Sequence, residues 1–496
     1  MISLEEYKIW LAEPDHERIL LVILTGYDGF DNNLFYMSSA PFYTEPTASL
    51  PNIQFESRIE EDFFIEKGIT FFEKGIGTDN LSELEITNAD AELDFWQNLQ
   101  WDKRPITIYL GDPEWKFDDF LVKPLFIGII DSVDFGDTHV RFRFNNRLGI
   151  LNGPVQRTLL ENASENNNKA IPLAYGHLRN IEPININPNT HEYQWHDTEV
   201  DIVEHIYDKG VIVTNYVLNS AYGRFAVNNR PAGTLTLDGQ TTLLKIDQVS
   251  KDLMCRLGPL NENDIDVDSF VELSNEKNYD ISLYITERQN NLDILERLFA
   301  SFGASLLINF EGKVAVAWIK LPENELPIVY LDSNEIALEN FSIEPLNNIQ
   351  WRTRLKYNRN YTIQKDGDLA GSITDPAYPN SERVEWLRNE WRIAKYEVPT
   401  LFPPEGVNFI ADPDAVETVL DSISDAETEC EYRQNILGTQ RFLCRFFAFS
   451  VPFGLLPGDI LNMNDSRYGL AEGKNMQILN IRYFPLFEKA EIEAFF

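Results

Sequence analysis

Alternating hydrophobic and polar residues mark the first third of the chain as β-structure. In HVRFRFN, which begins at His139, apolar residues and arginines alternate, the period of a strand with one buried face and one face against water or a partner. Residues 136–138 (GDT) join this run to FIGIIDSVDF, as in a hairpin. The apolar run at residues 19–24 is far shorter than the roughly 20 residues of a membrane helix, so it predicts a buried strand. Up to about residue 150, the pattern predicts an antiparallel β-barrel or sandwich.

A helical period appears only in the second half of the chain. Residues 290–303 (NNLDILERLFASFG) predict an amphipathic helix that an asparagine can cap and Gly303 can end. The next run, SLLINFEGKVAVAWI, predicts a hairpin that turns at Glu311–Gly312–Lys313. Residues from about 236 to 330 are therefore predicted to be α+β.

A longer helix is predicted over residues 411–438, before the chain returns to strands. Asp412 can cap this helix, and Pro413 can occupy its first turn, where a missing N–H costs nothing. Acidic residues crowd its early turns and Arg433 lies near its end, which complements the helix dipole.

Length and charge narrow the functional classes. A chain of 496 residues is expected to form three or four domains. Its net charge of −37, from 79 acidic residues against 42 Lys+Arg, repels nucleic acid phosphates and anionic lipid. Three widely spaced cysteines, Cys255, Cys430 and Cys444, form no zinc or disulfide framework. The N-terminus lacks a signal-peptide core, so we expect synthesis in a cytoplasm.

The densest acidic cluster lies in ITNADAELDFWQNLQW, where Asp90, Glu92 and Asp94 fall within five residues. A calcium loop would need a glycine at a set position and a late bidentate glutamate, and neither is present. The alternative is a capped turn, in which Asn88 and Asp90 bind backbone N–H groups. In that interpretation Phe95, Trp96 and Trp101 pack behind the turn and Arg104 offsets the acids.

No other motif predicts catalysis. The sequence has no Gly-x-Ser-x-Gly elbow, no HExxH and no phosphate-binding loop. A glycosidase would need two carboxyls facing each other across a cleft, and nothing distinguishes the many acids. We therefore predict no enzyme, no catalytic, metal or cofactor-binding residues, and no cofactor. Nothing marks Asp131 and Asp134 as a catalytic carboxyl pair. His177 and His196 with Asp197 could suggest a triad or a metal pair, but the nucleophile and metal motifs are missing. His205 with Asp201 is taken as a surface pair in a helical turn.

Several stretches, read in order, resemble tail proteins of long-tailed bacteriophages and prophages. They include LTGYDGF, YMSSAPFYTEP, ITNADAELD, RPITIYLGD, IPLAYGHLRNI, LENFSIEPLNNIQWRTRLKYNRNYTIQ and LLPGDILNMNDSRYGLAEGK. Each stretch alone is weak, but the series spans nearly the whole chain. The sequence departs from the family pattern at Ala91, where glycine is frequent, and this departure is expected to affect only the turn.

The resemblance implies a baseplate or tail-tip hub of siphovirus-like phages. The implied fold is mainly β with α+β insertions: two tail-tube-like β-barrels plus inserted domains, usually assembled as a trimer whose six barrels match a six-fold tube. The implied partners are the distal tail or tube protein, the tape-measure C-terminus and central tip or receptor-binding fibre proteins. DNA would meet the chain only in transit through its channel, and the chain would lie in the virion without a membrane anchor.

These inferences give a provisional division of the chain and two alternatives to the hub. One alternative is a tail-tip adhesin that binds a host-surface glycan or receptor, and the more distant one is an envelope enzyme such as a muramidase. The expected domains are residues 1–155, a tail-tube-like β-barrel; 156–235, a β-rich insertion; 236–330, an α+β domain; and 331–496, a second tail-tube-like β-barrel with a helical insertion at about 376–438.

Overall fold

The computed structural model describes residues 2–12, 16–60, 63–81, 83–145, 147–160, 166–332, 336–346, 348–375, 381–401, 412–449, 454–487 and 489–496. Within this part of the chain the strands form six sheets, with helices concentrated in the second half. The prediction of a mainly β, multidomain chain with α+β insertions is confirmed. None of the described helices has the length and apolar character needed to cross a membrane.

The N-terminal region is built around one large sheet. Its strands follow the order β3-β4-β2-β1-β8-β9-β10-β7, antiparallel except for the β2–β4 pair, and the predicted β9–β10 hairpin is confirmed. The elements are α1 (Leu4–Ala12), β1 (Ile19–Tyr27), β2 (Asn32–Ser38), β3 (Phe42–Tyr43), β4 (Gln54–Ser57), β5 (Ile65–Gly68), β6 (Thr78–Leu81), β7 (Leu84–Thr87), β8 (Pro105–Gly111), α2 (Phe117–Phe120), β9 (Pro124–Phe135) and β10 (His139–Asn145).

Strand β1 lies at the centre of this sheet and is buried on both faces. Leu20 and Val22 pack into one apolar core, whereas Ile19 and Leu21 pack into a second core on the opposite face. A strand covered on both sides is expected to be a continuous apolar run. This confirms the prediction of a buried strand at residues 19–24.

The β-rich insertion forms two smaller sheets around a core that includes Trp195 and Leu237. One sheet has the order β12-β13-β17-β16, and the other contains β15-β14-β18-β11. The strands are β11 (Leu173–Ile181), β12 (Ile184–Asn187), β13 (Glu192–Gln194), β14 (Val200–Asp208), β15 (Val211–Val213), β16 (Tyr216–Asn219), β17 (Arg224–Val227) and β18 (Leu235–Thr241).

The α+β region follows and matches the predicted pattern closely. Its elements are α3 (Ile246–Lys251), α4 (Val267–Glu276), β19 (Ser282–Ile285), α5 (Asn291–Ser301), β20 (Ala304–Ile308) and β21 (Val314–Trp318). The side chain of Asn290 accepts a hydrogen bond from Leu292 N and caps α5. The predicted helix and the β20–β21 hairpin are therefore confirmed. Strand β19 extends the insertion sheet by pairing with β11.

The C-terminal region contains a second large sheet and a small three-stranded one. The large sheet has the order β22-β28-β29-β30-β27-β23, and the small one β25-β24-β26. The elements are β22 (Val329–Leu331), β23 (Ile336–Pro345), β24 (Arg352–Tyr357), α6 (Gly371–Thr374), α7 (Ser381–Arg388), β25 (Arg392–Glu397), β26 (Val416–Glu417), α8 (Ile423–Leu437), β27 (Phe442–Phe449), β28 (Ile460–Met463), β29 (Lys474–Phe484) and β30 (Lys489–Phe495).

The long helix is shorter than predicted and starts later. It runs over α8 alone, and the hydroxyl of Ser422, not Asp412, caps it by accepting a hydrogen bond from Asp425 N. Residues 416–417 form β26, which pairs in parallel with β24. The predicted start at Ala411 lies outside the described residues. The acidic stretch before Ser422 resembles a first helical turn in composition, but strand pairing holds part of it extended.

The two large sheets are joined by a hairpin of the N-terminal region. Strand β5 pairs with β29 of the C-terminal sheet, and β6 pairs with β5. Across this junction, Asn480 Nδ2 donates to Glu66 Oε1 at 2.8 Å, and Arg482 lies 3.3 Å from the same carboxylate. The chain then continues into β7 of the N-terminal sheet, so the two β regions share one connected framework.

A short backbone segment that follows β4 links β2 to the end strand β7 of the N-terminal sheet. Within the described residues neither large sheet closes into a barrel of strands, so closure stays a prediction. Residues 58–60 nevertheless reach both sides of the gap. Arg58 N donates to Ser38 O of β2 at 3.0 Å, and Thr87 N of β7 donates to Arg58 O at 2.8 Å. We call this contact, with the Ile59–Ile86 bridge, the seam.

Candidate assembly surface

The outward side of β7 and β10 carries a ladder of opposite charges. Arg141 Nε lies 2.5 Å from Glu85 Oε1, and Arg143 Nε lies 2.6 Å from Glu83 Oε1. Arg143 also contacts Asp134 of β9 at 3.1 Å. The alternating residues of β10 point inward, so the period-two prediction for HVRFRFN is confirmed at its buried Val140 and Phe142. We call these outward residues the charged face.

Arg58 ties the acidic cluster to the seam. Its guanidinium contacts Glu56 at 2.6 Å, Asp90 at 2.8 Å and Glu92 at 2.7 Å. The hydrogen bond from Arg58 lowers the pKa of Asp90 to about 2. Arg104, which the sequence suggested as the partner, instead donates to Asn32 Oδ1 at 3.3 Å.

The rest of the acidic cluster forms the capped turn that the sequence favoured. Asn88 Oδ1 accepts from Leu93 N at 2.8 Å, and Asp90 Oδ1 accepts from Glu92 N at 3.2 Å. Asp94 accepts from Asn88 Nδ2 at 2.9 Å and begins a short 3-10 helix, Asp94–Asn98. Behind it Trp96 and Trp101 are buried, whereas Phe95 is exposed. The turn therefore uses its carboxylates to position backbone and Arg58.

Ala91, where the related sequences often have glycine, has a backbone conformation that suits glycine better than alanine. Ala91 adopts a φ of 62°, in the left-handed region that glycine enters freely and alanine enters at a cost of about 1–2 kcal/mol. Ala91→Gly removes that strain and adds about 0.5–1 kcal/mol of backbone entropy cost. We expect the variant to be more stable by about 0.5–1 kcal/mol, measured by chemical denaturation. Equal or lower stability would contradict the assignment of strain at this turn.

The histidines and aspartates that the sequence offered as candidates for chemistry lie on strands or in structural contacts. His196 is buried, and its Nδ1 accepts from Ala174 N at 3.0 Å. Burial lowers the pKa of His196 to about 4, which keeps the ring neutral. His205 and Asp201 lie on strand β14, so their placement in a helical turn was wrong. Asp134 contacts Arg143, and Asp131 lies on the same strand, β9.

His177 links the insertion sheet to the segment before α8. Its Nδ1 lies 3.1 Å from Asp421 Oδ2, and its Nε2 lies 3.3 Å from Glu204 Oε1. The hydrogen bond to Asp421 raises the pKa of His177 above its usual value, although burial opposes the shift. Nδ1 of a protonated ring donates to Asp421, and the charge of the ring also attracts Glu204, although Nε2 makes no hydrogen bond.

The His177 contact is expected to make stability depend on pH. Because the folded-state pKa is raised, the stabilisation is complete below the unfolded pKa of about 6.5 and is lost as the pH rises through the folded value. We expect the melting temperature of the wild type to exceed that of His177→Gln by more at pH 6 than at about pH 9. A difference that is constant across this range would contradict the role of His177.

A buried ionic cluster, which the sequence did not reveal, fixes α8 against the α+β region. Lys277 Nζ lies 2.8 Å from Glu429 Oε2, and Arg433 Nε lies 2.7 Å from Glu429 Oε1. Arg433 also donates to the carbonyls of Ala300 and Ser301 at 2.9 Å. Burial would raise the pKa of Glu429, but the two cations outweigh it and hold that pKa below its usual value. Nothing in the spacing of these residues distinguishes them from surface charges.

An apolar row lies exposed at one edge of the C-terminal sheet. Leu326, Ile328 and Tyr330, on or just before the end strand β22, are 89%, 62% and 68% exposed. They alternate along the chain, and Leu331 on the other face is buried. Exposed apolar side chains on an open sheet edge are typical of a surface that packs against another chain.

Comparisons with solved structures found tail and virion chains of low sequence identity. No family model and no curated protein matches the sequence. The tail protein from Neisseria meningitidis MC58 is 10% identical, with 97% of each chain covered and a TM-score of 0.38. A chain of the virion of a native gene transfer agent particle is 13% identical over 69% of this chain and 88% of that chain, with a TM-score of 0.43.

Further similar structures are of the same kind. The prophage tail protein gp18 from Listeria monocytogenes EGD-e is 8% identical, covering 96% of this chain and 94% of that chain, with a TM-score of 0.37. Others include chains of the p2 virion baseplate. These similar structures are tail, baseplate and virion chains at 8–13% identity.

Proposed function

We propose that the chain is a structural virion protein, a baseplate or tail-tip hub that closes the tail tube, forms part of the DNA channel and attaches tip proteins or fibres. The observation that carries the proposal is the junction of the two large sheets. Strands β5 and β6 place the N-terminal sheet beside the C-terminal sheet in one chain. A trimer of such chains presents six sheet units, which is the number that a six-fold tube requires.

The chemistry of the surface supports an assembly role over catalysis. Arg58 engages Asp90 in the turn after β7, whereas Arg141 and Arg143 of β10 engage Glu85 in β7 and Glu83 just before it. The row Leu326, Ile328 and Tyr330 offers an apolar contact for a neighbouring chain. The proposed neighbours are further copies of this chain, the distal tail or tube protein, the tape-measure C-terminus and the tip fibres.

The net charge also fits a channel through which DNA passes without binding. An excess of 37 negative charges repels phosphates, so DNA in transit would not be retained. In this proposal the chain is made in the host cytoplasm and resides in the virion, at the tail tip or baseplate.

Removal of the chain from particle-forming cells tests this function. We expect a deletion strain to produce no particles with a completed tail tip in electron micrographs, and complementation to restore them. Antibody-bound gold should mark one end of the tail. Complete, infectious tails that lack the chain would overturn the proposal. Tails that are complete but fail to adsorb to cells would instead favour the adhesin.

A further inference from the structure

Three side chains of metal-ligand type converge at the seam. One carboxylate oxygen each of Glu60 and Glu85 and an imidazole nitrogen of His139 lie within 4.8 Å of one another. Each residue comes from a different segment: Glu60 from the bridging segment, Glu85 from β7 and His139 from the start of β10. The donors therefore stand on three neighbouring backbone segments held by hydrogen bonds, with Glu60 N donating to Glu85 O at 3.2 Å.

Glu60 and Glu85 lie in directly opposite positions on neighbouring segments. The antiparallel Ile59–Ile86 bridge puts Glu60 opposite Glu85, and like charges in directly opposite positions destabilise a pair of strands. Because both isoleucines are buried, both carboxylates point outward on the same side. Arg141 Nε contacts Glu85 at 2.5 Å, which leaves the charge of Glu60 facing His139.

Glu60 and His139 are in direct contact at the seam. His139 Nε2 lies 2.5 Å from Glu60 Oε1. The neutral tautomer with N–H at Nε2 can donate to Glu60, and a metal ion at the same place would bind Nε2 through its lone pair. Thr138 Oγ1 lies 2.7 Å from His139 Nδ1, the second contact that typically orients a histidine ligand.

We propose that Glu60, Glu85 and His139 bind a divalent transition-metal ion of the zinc class. On binding, Nε2 turns its lone pair to the ion and the ring N–H moves to Nδ1, where it can donate to Thr138 Oγ1. One imidazole and two carboxylates are suitable ligands for zinc, and water completes the coordination. The three side chains are partly exposed, which gives the ion a path from solvent.

The ion would act as a clamp across the seam. It connects the bridging segment to both β7 and β10, and so strengthens the seam. Because the site requires three segments in their folded positions, a metal that binds there stabilises the folded chain by mass action. This inference is independent of the proposed function, because a tail protein without this site would still have the same fold.

Zinc titration of the full-length chain tests the site. After treatment with a chelator, ZnCl2 binding is measured by isothermal titration calorimetry, and the melting temperature is recorded with and without the metal. We expect saturable binding and a higher melting temperature for the wild type. His139→Ala and Glu60→Gln should each weaken binding by about 10-fold or more, and Co²⁺ in place of zinc should give absorption bands that these variants lose.

A matched variant controls for adventitious binding by histidine. His205→Ala removes an exposed histidine on β14, far along the chain from the seam, and should leave binding unchanged. Glu60→Gln keeps the size and hydrogen-bonding shape of the side chain, so it serves if His139→Ala fails to fold. No saturable zinc binding by the wild type, or equal binding by the wild type and Glu60→Gln, would overturn the proposal.

Discussion

Glu429→Ala is expected to lower the free energy of unfolding by about 3–5 kcal/mol, the cost of removing one partner from a buried ion pair. Glu429 is fully buried and contacts both Lys277 Nζ and Arg433 Nε. Without it, two cations that are at most 3% exposed remain in the interior without their counter-charge. The loss is much larger than the roughly 0–1 kcal/mol of a surface pair.

Chemical denaturation of the transition that includes α8 measures this effect. Glu427→Ala, an exposed glutamate on the same helix, is the matched control and should change stability by less than about 0.5 kcal/mol. The double variant Lys277→Ala/Glu429→Ala should be less destabilised than the sum of the two single variants, since the residues are coupled. A Glu429→Ala effect as small as that of the control would refute the cluster as a stabilising contact.

Gly176→Ala is the second change with a large expected effect. Gly176 in β11 has a φ of 81°, and a Cβ at this position would lie 1.5 Å from the carbonyl oxygen of Ile281. The obstacle is backbone, which cannot turn aside like a side chain. Left-handed strain of about 1–3 kcal/mol and overpacking of about 1–3 kcal/mol predict a total loss of about 2–6 kcal/mol.

Gly371→Ala provides the control for this substitution. Gly371 begins α6 and lacks a positive φ, and a Cβ added there would meet open space, so alanine should be neutral or slightly stabilising. Thermal and chemical unfolding of both variants should separate them clearly. If Gly176→Ala unfolds with the wild type, the close approach of β11 to residue 281 is incorrect. The close approach of the Ile281 carbonyl to β11 also explains why position 176, in the stretch IPLAYGHLRNI, requires glycine.

Local patterns in the sequence sufficed where an element is determined by its own residues. The β9–β10 hairpin follows from its period of two and its short turn, and α5 follows from its apolar stripe and the cap at Asn290. The capped turn before Asp94 could be predicted, because Asn and Asp side chains bind backbone groups only a few residues away.

Long-range pairing determined what the sequence could not reveal. The β5–β6 hairpin joins a sheet whose other strands lie more than 200 residues further along the chain, and no local periodicity encodes that partner. The start of α8 was misplaced because β26 pairs with β24. Long-range pairing also explains why Arg58, and not Arg104, binds the acidic cluster. The backbone contacts of the seam hold Arg58 beside Asp90 and Glu92.

The proposed metal site and the buried ionic cluster are also formed by residues that are distant along the chain. The sequence does not distinguish His139, because its carboxylate neighbours are distant along the chain. Glu60 lies 79 residues away, and Glu85, which the pairing of β7 and β10 brings near, lies about 54 residues away. The signal that would have found it is the outward position of Glu85 and His139 on paired strands, once the pairing is known. Lys277 and Glu429 likewise meet across 152 residues.

The mass of the purified chain in solution, alone and with the proposed tail neighbours, followed by electron microscopy of any ring, tests the hub proposal. We expect a trimer of the 57.2 kDa chain, with a central opening close to the width of a DNA duplex. A chain that stays monomeric with those neighbours, and that binds cells or cleaves cell-wall polymer, would contradict it.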